Sequence, residues 1–268
     1  MKISKGRRRR LTVKWIKRNM RSDEVIWKRT MNKYFDKQLR ELLALIEESE
    51  VFGLTATVQG FWNDDALYKI YNDLYGRLGQ KYYLQSEASV QKSSFDPFTI
   101  KADGDFDPLD EWWINVERFV STEVAYRVVS VNKTTRDLAI KAIKGAIDEG
   151  LEEGLGMREI SKKIDAAVKL EWRHMKTFRP LQIARTEVLS ASNYASYQGA
   201  LGTGLEVQKV WLHSFLMNER PWHLSYSGTA VDINEPFILD GDRMRFPGDP
   251  RASARNTINC RCVQIYES

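Results

Sequence analysis

"IARTEVLSASNYASYQGALGTGLEVQKVWLHS", residues 183–214, holds the turning point of the chain. As far as Leu201 it reads as a helix, and it stops at Gly202 and Gly204, glycine being the residue that most readily takes the left-handed backbone of a helix end. From Glu206 the character of the residues alternates, as it does along a half-buried strand. Upstream the signals are mostly helical; downstream they are short strand-and-turn segments. The fold class expected is therefore α+β: a helical N-terminal two thirds followed by a small β-containing C-terminal cap.

Moving outward toward the N-terminus, Pro180 suits the first turn of the helix that carries this stretch. "GLEEGLGMREISKKIDAAV" reads as a glycine-rich turn into a helix whose Ile160, Ile164 and Val168 form one stripe. A further helix is expected after "NKTT", with Thr134 or Thr135 as cap and Gly150 as stop, and another over "DEWWINVERFVSTEVAYRVVSV". Ser22 has the chemistry of an N-cap, with Asp23 and Glu24 in the first turn. Trp27, Met31, Tyr34, Leu39, Leu42 and Ile46 then recur close to one helical face. "FGLTATVQGF" breaks that pattern, and Asn63 caps a helix through Leu67, Ile70, Tyr71, Leu74 and Leu78. Residues 88–108 read as a loop or hinge. Asp103, Asp105 and Asp107 alternate like a calcium loop, but the glycine and the later glutamate that such a loop needs are misplaced. The organisation expected is a basic arm at 1–21, a helical region at 22–108, a second helical region at 109–204 and the cap at 205–268.

Moving toward the C-terminus, "YSGTAVDINEPF" and "GDRMRFPGDP" are strand-and-turn segments. "TINCRCVQIY" reads as a last strand with Ile258, Cys260, Cys262 and Gln264 on one side, because side chains alternate with a period of two. The chain has only two cysteines, and both are here. A metal clip, a redox pair and two small buried apolar residues are the three readings. Neighbours at i, i+2 are poorly placed to bond to each other, which disposes of the redox pair.

Composition limits the classes. With 268 residues and 43% hydrophobic residues the chain can bury a sizeable core. No stretch approaches the roughly 18 apolar residues of a membrane span, and Lys14, Lys17 and Arg18 interrupt any signal-like apolar run near the start, so a cytoplasmic origin is expected. The net charge of +5 hides an asymmetry: residues 1–40 hold 15 Lys and Arg against three acids, a local +12, which leaves −7 for the remainder. Arg7, Arg8, Arg9, Arg10, Lys14, Lys17 and Arg18 can neutralise the phosphates of DNA or dock on an acidic protein wall. The competing reading is a solvated tail; Trp15 and Ile16 among the cations favour a contact surface.

The second half of the chain carries an ordered set of motifs: "NKTT"; "IARTEV" with Asn193 six residues after Glu187; Trp211 opening a strand; Arg220 two residues before "WH"; "EPF"; "FPGDP"; and "INCRC". In this set, over about residues 120–265, the chain resembles the phage Mu F-like minor head proteins. The structural motif residues are Arg185, Glu187, Asn193, Arg220, His223, Cys260 and Cys262. The resemblance implies a non-enzymatic virion component acting in head assembly at the portal vertex or capsid interior, made in the host cytoplasm. Its partners would be the portal or major capsid protein and packaged double-stranded DNA, with no membrane and no small-molecule substrate. One departure stands out, since Leu216, Met217 and Asn218 occupy a loop where such proteins carry an acid and a further arginine.

Zinc accepts Cys and His ligands, so His223, Cys260 and Cys262 are candidate ligands for a structural zinc, with His213, Glu219 or Asp249 as a fourth. Against a metal, C-x-C is tighter than the usual spacing, and buried cysteine is commonly a small hydrophobe. The alternative function is a metal-dependent enzyme or toxin-like domain centred on the same three residues; a third is a nucleic-acid-binding module resting on the basic arm. On a helix Arg185 and Glu187 lie about 200° apart, which suits packing better than a shared catalytic patch. An ADP-ribosyltransferase would need its Arg, Ser-x-Ser and Glu on separate strands.

Overall fold

The computed structural model describes residues 5–51, 53–91, 111–213 and 220–267, of which 5–10 and 111 in backbone only. The aspartates at 103, 105 and 107, Glu219 and the guanidinium groups of residues 7–10 lie outside that description. Helix α1 runs Lys5–Glu48, α2 Leu54–Phe61 and α3 Asp65–Asp73; α3 passes through a π-helical turn at Leu74–Leu78 into α4, Gly79–Val90. Helix α5, Glu111–Phe119, passes through a second π-helical turn at Val120–Val124 into α6, Ala125–Glu152, and α7 runs Met157–Gly202. The fold is α+β, as expected, and among the described residues the strands lie in the C-terminal part.

Three expected boundaries give way to longer helices. Helix α1 begins by Lys5 and runs through Ser22, because Met20 and Ile16 extend the buried stripe of Trp27 and Met31 about two and three turns upstream of Trp27. The stripe itself continues through Phe35 and Gln38, whereas Leu39 is only half-buried. Thr134 and Thr135 lie inside α6, where their hydroxyls donate to the carbonyls of Ser130 and Val131 one turn back instead of capping a new helix. Pro180 lies inside α7. An interior proline costs about 3 kcal/mol, and buried residues on both sides, Trp172 and Met175 before it and Ile183 and Ala184 after it, carry the helix through.

The chain divides into two compact units, one of residues 28–70 and 124–180, the other of 1–27, 71–123 and 181–268. The first is all-helical. Its core holds Met31, Phe35, Leu42, Leu54, Val58, Ile143, Ile164 and Trp172, and Ile160, Ile164 and Val168 form the stripe expected of them. The unit also holds a polar knot, buried at Tyr34, Gln38 and Asn132. Tyr34 donates to Asn132 Oδ1 at 2.6 Å, Gln38 donates to the Tyr34 hydroxyl at 2.6 Å, and Asn132 Nδ2 donates to Asn63 O and to Asp64 at 3.1 and 2.6 Å. "NKTT" thus lies wholly inside α6, and its asparagine supplies the knot.

In the other unit the second half of α7 is buried almost all round, from Ala184 through Ala200. Its Ala, Ser and Gly side chains let neighbours approach closely: a Cβ on Gly199 would sit 2.2 Å from the backbone oxygen of Tyr83 in α4. Large rings fill the space beside it, with Tyr194 stacked on Phe119 at 3.8 Å between centroids. The cap comprises β1, Gln208–Leu212; α8, Pro221–Ser225; β2, Ala230–Asp232; β3, Phe237–Leu239; β4, Asp242–Met244; α9, Ala254–Thr257; and β5, Val263–Glu267. One antiparallel sheet has the order β2-β1-β5, pairing Gln208 with Asp232 and with Glu267. β3 and β4 form a hairpin through Asp240-Gly241, both at positive φ, the turn that Asp-Gly favours. The last strand begins at Val263, later than expected: Asn259 takes a φ of 57° and the Cys260 amide donates to Thr257 O, so the CRC segment is an irregular lead-in and not part of the ladder.

Candidate functional site

Cys260 and Cys262 nevertheless face the same partner. His223, in the short helix α8, places Nδ1 3.3 Å from Cys262 Sγ and 3.5 Å from Cys260 Sγ. All three residues are buried, at 2%, 2% and 4% exposure for His223, Cys260 and Cys262, and their donor atoms lie within 4.8 Å of one another. The tautomer of the ring follows from its other side. Asn256 Oδ1 lies 3.1 Å from His223 Nε2 and accepts from Trp222 Nε1 at 2.8 Å, while Asn256 Nδ2 donates to Leu239 O and Asp242. The amide oxygen therefore faces the ring and accepts from Nε2–H, which leaves Nδ1 as the ring nitrogen turned to both sulfurs. Burial pushes Asp242 up, but bonds from Ser253 and Asn256 outweigh it and hold the carboxyl below its usual range, so it stays an acceptor. The Cys260 thiol is held well below the usual cysteine range by its hydrogen bond with Cys262, against burial, with His223 adding to the effect.

This donor set fits zinc. With Zn–S near 2.3 Å and Zn–N near 2.0 Å, the N···S edge of a tetrahedron is about 3.5 Å, close to both observed spacings. Asp249 is not a fourth ligand, because its carboxylate is taken up by the guanidinium and amide of Arg245 and by the amide of Arg251. His213 is bonded through Nδ1 to Ser227 Oγ at 2.7 Å. Among the described residues the group consists of His223, Cys260 and Cys262. A thiol, an imidazole and an amide in this order also occur in papain-like proteases, but sulfurs this deeply buried give a substrate no approach.

The remaining motif residues hold the cap to α7. Asn193 Nδ2 donates to Pro247 O at 3.0 Å and to Cys262 O at 3.1 Å, and the backbone carbonyl of Asn193 accepts from Gln264 Nε2 at 3.0 Å. One side chain of α7, six residues after Glu187, thus joins "FPGDP" to "NCRC". Thr186 accepts from the amide of Asn259 at 3.1 Å, steadying the left-handed residue before the cysteines. Gly248, at φ 83°, lies against Leu189 and Ser190, where a Cβ would meet atoms at 3.1 and 3.4 Å. Glu187 accepts from Tyr75 at 2.9 Å. Arg220 donates to Ile258 O at 2.6 Å. Arg185 does not reach Asn193 or the cap: it forms an ion pair with Glu24 of α1 at 3.6 Å, and Arg261 joins the same carboxylate at 3.0 Å. Burial raises the Glu24 carboxyl even against the two guanidinium groups. Asp23 beside it accepts from Lys81 and Tyr82. These two acids, expected in a first helical turn, are buried anchors in mid-helix.

From Lys5 the basic arm is helical, and from Leu11 it splits into two faces. Ile16 and Met20 are buried and Trp15 packs edge-on against Tyr82 at 5.6 Å, so the apolar residues that suggested a contact surface belong to the arm's own packing. Lys14, Lys17 and Arg18, joined by Arg21, line one cavity together with Leu212 and His213. Asn256, Glu24 and Thr186 are site residues that sequence reasoning missed. The Asp-Gly pair at 240–241 could have signalled the hairpin that places Asp242 under Asn256; nothing local marks the other two.

Residues 141–265 match the sequence model of the family described as "Phage Mu protein F like protein". "NKTT" falls outside the matched range. "Uncharacterized protein YqbB" of Bacillus subtilis (strain 168) is 27% identical over 127 residues, 46% of this chain and 40% of that protein. "NAD(+)--arginine ADP-ribosyltransferase EFV" of Enterococcus faecalis (strain ATCC 700802 / V583) is 29% identical over 133 residues, 48% of this chain and 26% of that protein. The chain covers less than half the length of either relative. No solved structure matches it.

Proposed function

We propose that this chain is a structural, non-enzymatic component of phage head assembly, acting at the portal vertex or in the capsid interior, with its basic helix turned to an acidic protein surface or to packaged DNA. The match of residues 141–265 to the phage Mu F-like family supports head morphogenesis. The observation that carries the structural reading is the use made of the family's motif residues. Thr186, Asn193, Arg220, His223, Cys260 and Cys262 bind one another and the backbone within the unit, tying an irregular cap to a buried helix. Residues spent on one another in this way form a scaffold and not a cleft. The ADP-ribosyltransferase activity in one relative's name gains no support here, since Arg185 and Glu187 share a helix and each has a packing partner.

Within this reading the His-Cys-Cys group is a zinc clip that closes the cap. The test of the assembly reading is to look for the chain in purified particles and to map it by limited proteolysis of intact and opened heads. The expected result is a chain protected in intact heads and cleaved in opened ones. Its absence from particles would refute the proposal.

A further inference from the structure

The cationic face of α1 does more than carry charge. Val13, Lys14, Lys17, Arg18 and Arg21 recur at the spacing of one helical face, and they line a groove of about 990 Å³ whose other wall comes from Leu212 and His213 at the end of β1 and from Leu224 of α8. Lys17 donates to His213 O at 3.4 Å, joining the two walls. Lys14, Arg18 and Arg21 are exposed beside it, and Leu224, 52% exposed, presents an apolar side chain into the same space. Among the described residues, no acid lines the groove. The combination is an apolar trough bordered by positive charge.

We infer that this groove docks an acidic, leucine-bearing segment of a partner protein; the inference rests on the assembly reading for the identity of the partner. Charge complementarity selects an acidic occupant, because cations on one wall attract carboxylates and reject a basic segment. The apolar lining selects a peptide over a duplex: Val13, Leu212 and Leu224 gain by covering apolar surface, and a leucine offers it. A DNA backbone would engage the cations alone, with affinity set by counterion release. The volume is at the upper end of that of ligand pockets, enough for a few side chains of an extended or helical segment.

The test uses the full chain and a short fluorescein-labelled peptide of Glu-Glu-Leu repeats, read by fluorescence anisotropy, with a Glu-Glu-Gly peptide and a labelled DNA duplex as comparisons. The leucine peptide should bind about tenfold more tightly than the glycine peptide, the effect of roughly one well-buried apolar side chain. Leu224→Asp should abolish that preference, and Lys14→Glu combined with Arg18→Glu should weaken both peptides. These three side chains are exposed, and the ratio of the two peptides on the unaltered chain decides the matter even if a variant misfolds. Equal affinity for the two peptides, or displacement of the leucine peptide by duplex at matched charge, would overturn the inference and leave a polyanion surface in its place. Absence of the chain from particles would refute the assembly reading while leaving the peptide ratio untouched, so the two failures are told apart.

Discussion

Replacing Asn193 by alanine is the sharpest test of the cap-fastening account. The side chain is 3% exposed, and its amide donates to the carbonyls of Pro247 and Cys262. Alanine removes both donations at a site that is almost fully buried. A buried polar group that loses its partner costs about 1–3 kcal/mol; for two carbonyls, with some relaxation, we expect a loss of about 2–4 kcal/mol. That is a large share of the roughly 5–15 kcal/mol of a typical native state. Urea unfolding followed by tryptophan fluorescence should show it as a lower midpoint, since Trp211 and Trp222 both lie in the cap. Asn193→Asp adds a control that responds to pH. Its carboxylate would face two carbonyl oxygens in a buried site, which raises the folded-state pKa of the new carboxyl. The variant should therefore be worse than alanine at neutral pH and recover as the pH falls through that raised value, because the protonated acid can again donate. Unfolding of Asn193→Ala within about 0.5 kcal/mol of the parent, or an aspartate variant indifferent to pH, would refute the reasoning.

Lys209 is fully buried, donates to Arg245 O at 2.7 Å, and has its ammonium pushed down to about 8 by burial, with Asp249 opposing the shift. The unfolded chain then binds more protons than the folded one between about pH 8 and 10.4, so stability relative to Lys209→Met should rise with pH across that window by roughly 3 kcal/mol in total; a flat difference in chemical denaturation would count against it. Glu187→Ala should cost about 1–3 kcal/mol, because the buried Tyr75 hydroxyl loses an acceptor, whereas Arg185→Ala should cost under about 1 kcal/mol, its side chain being 35% exposed. The reverse order in urea melts would contradict the packing described. Purified protein should carry stoichiometric zinc by elemental analysis, lost in Cys262→Ser and on acidification, because thiolate and neutral imidazole are required; metal-free protein that tolerates Cys→Ala at both positions would show the cluster to be plain packing.

Much of the architecture was legible because it is written locally. The switch at Gly204 from helical to alternating residues separates the helical part from the cap. The stripe of Ile160, Ile164 and Val168 is buried as its period requires. The two cysteines and His223 announce their chemistry by type alone, and the motif order points to the family. Helix ends were less legible. Ser22, Thr134 and Pro180 each carry a local stop or start signal worth about 1–3 kcal/mol, and in each case buried contacts on both sides outweighed it.

What the sequence by itself determined is the class of fold, the charge asymmetry and the set of side chains able to meet at the cap. The tertiary structure alone decided which of them do meet. Glu24 joins Arg261 across 237 positions, Asn256 orients His223 across 33, and Asn193 reaches Pro247 across 54 and Cys262 across 69. Propensity, capping and periodicity act over a few residues, because they arise from one turn of backbone and its side chains. A hydrogen bond between distant segments exists only once packing has brought them together, and burial then makes each such bond costly to lose.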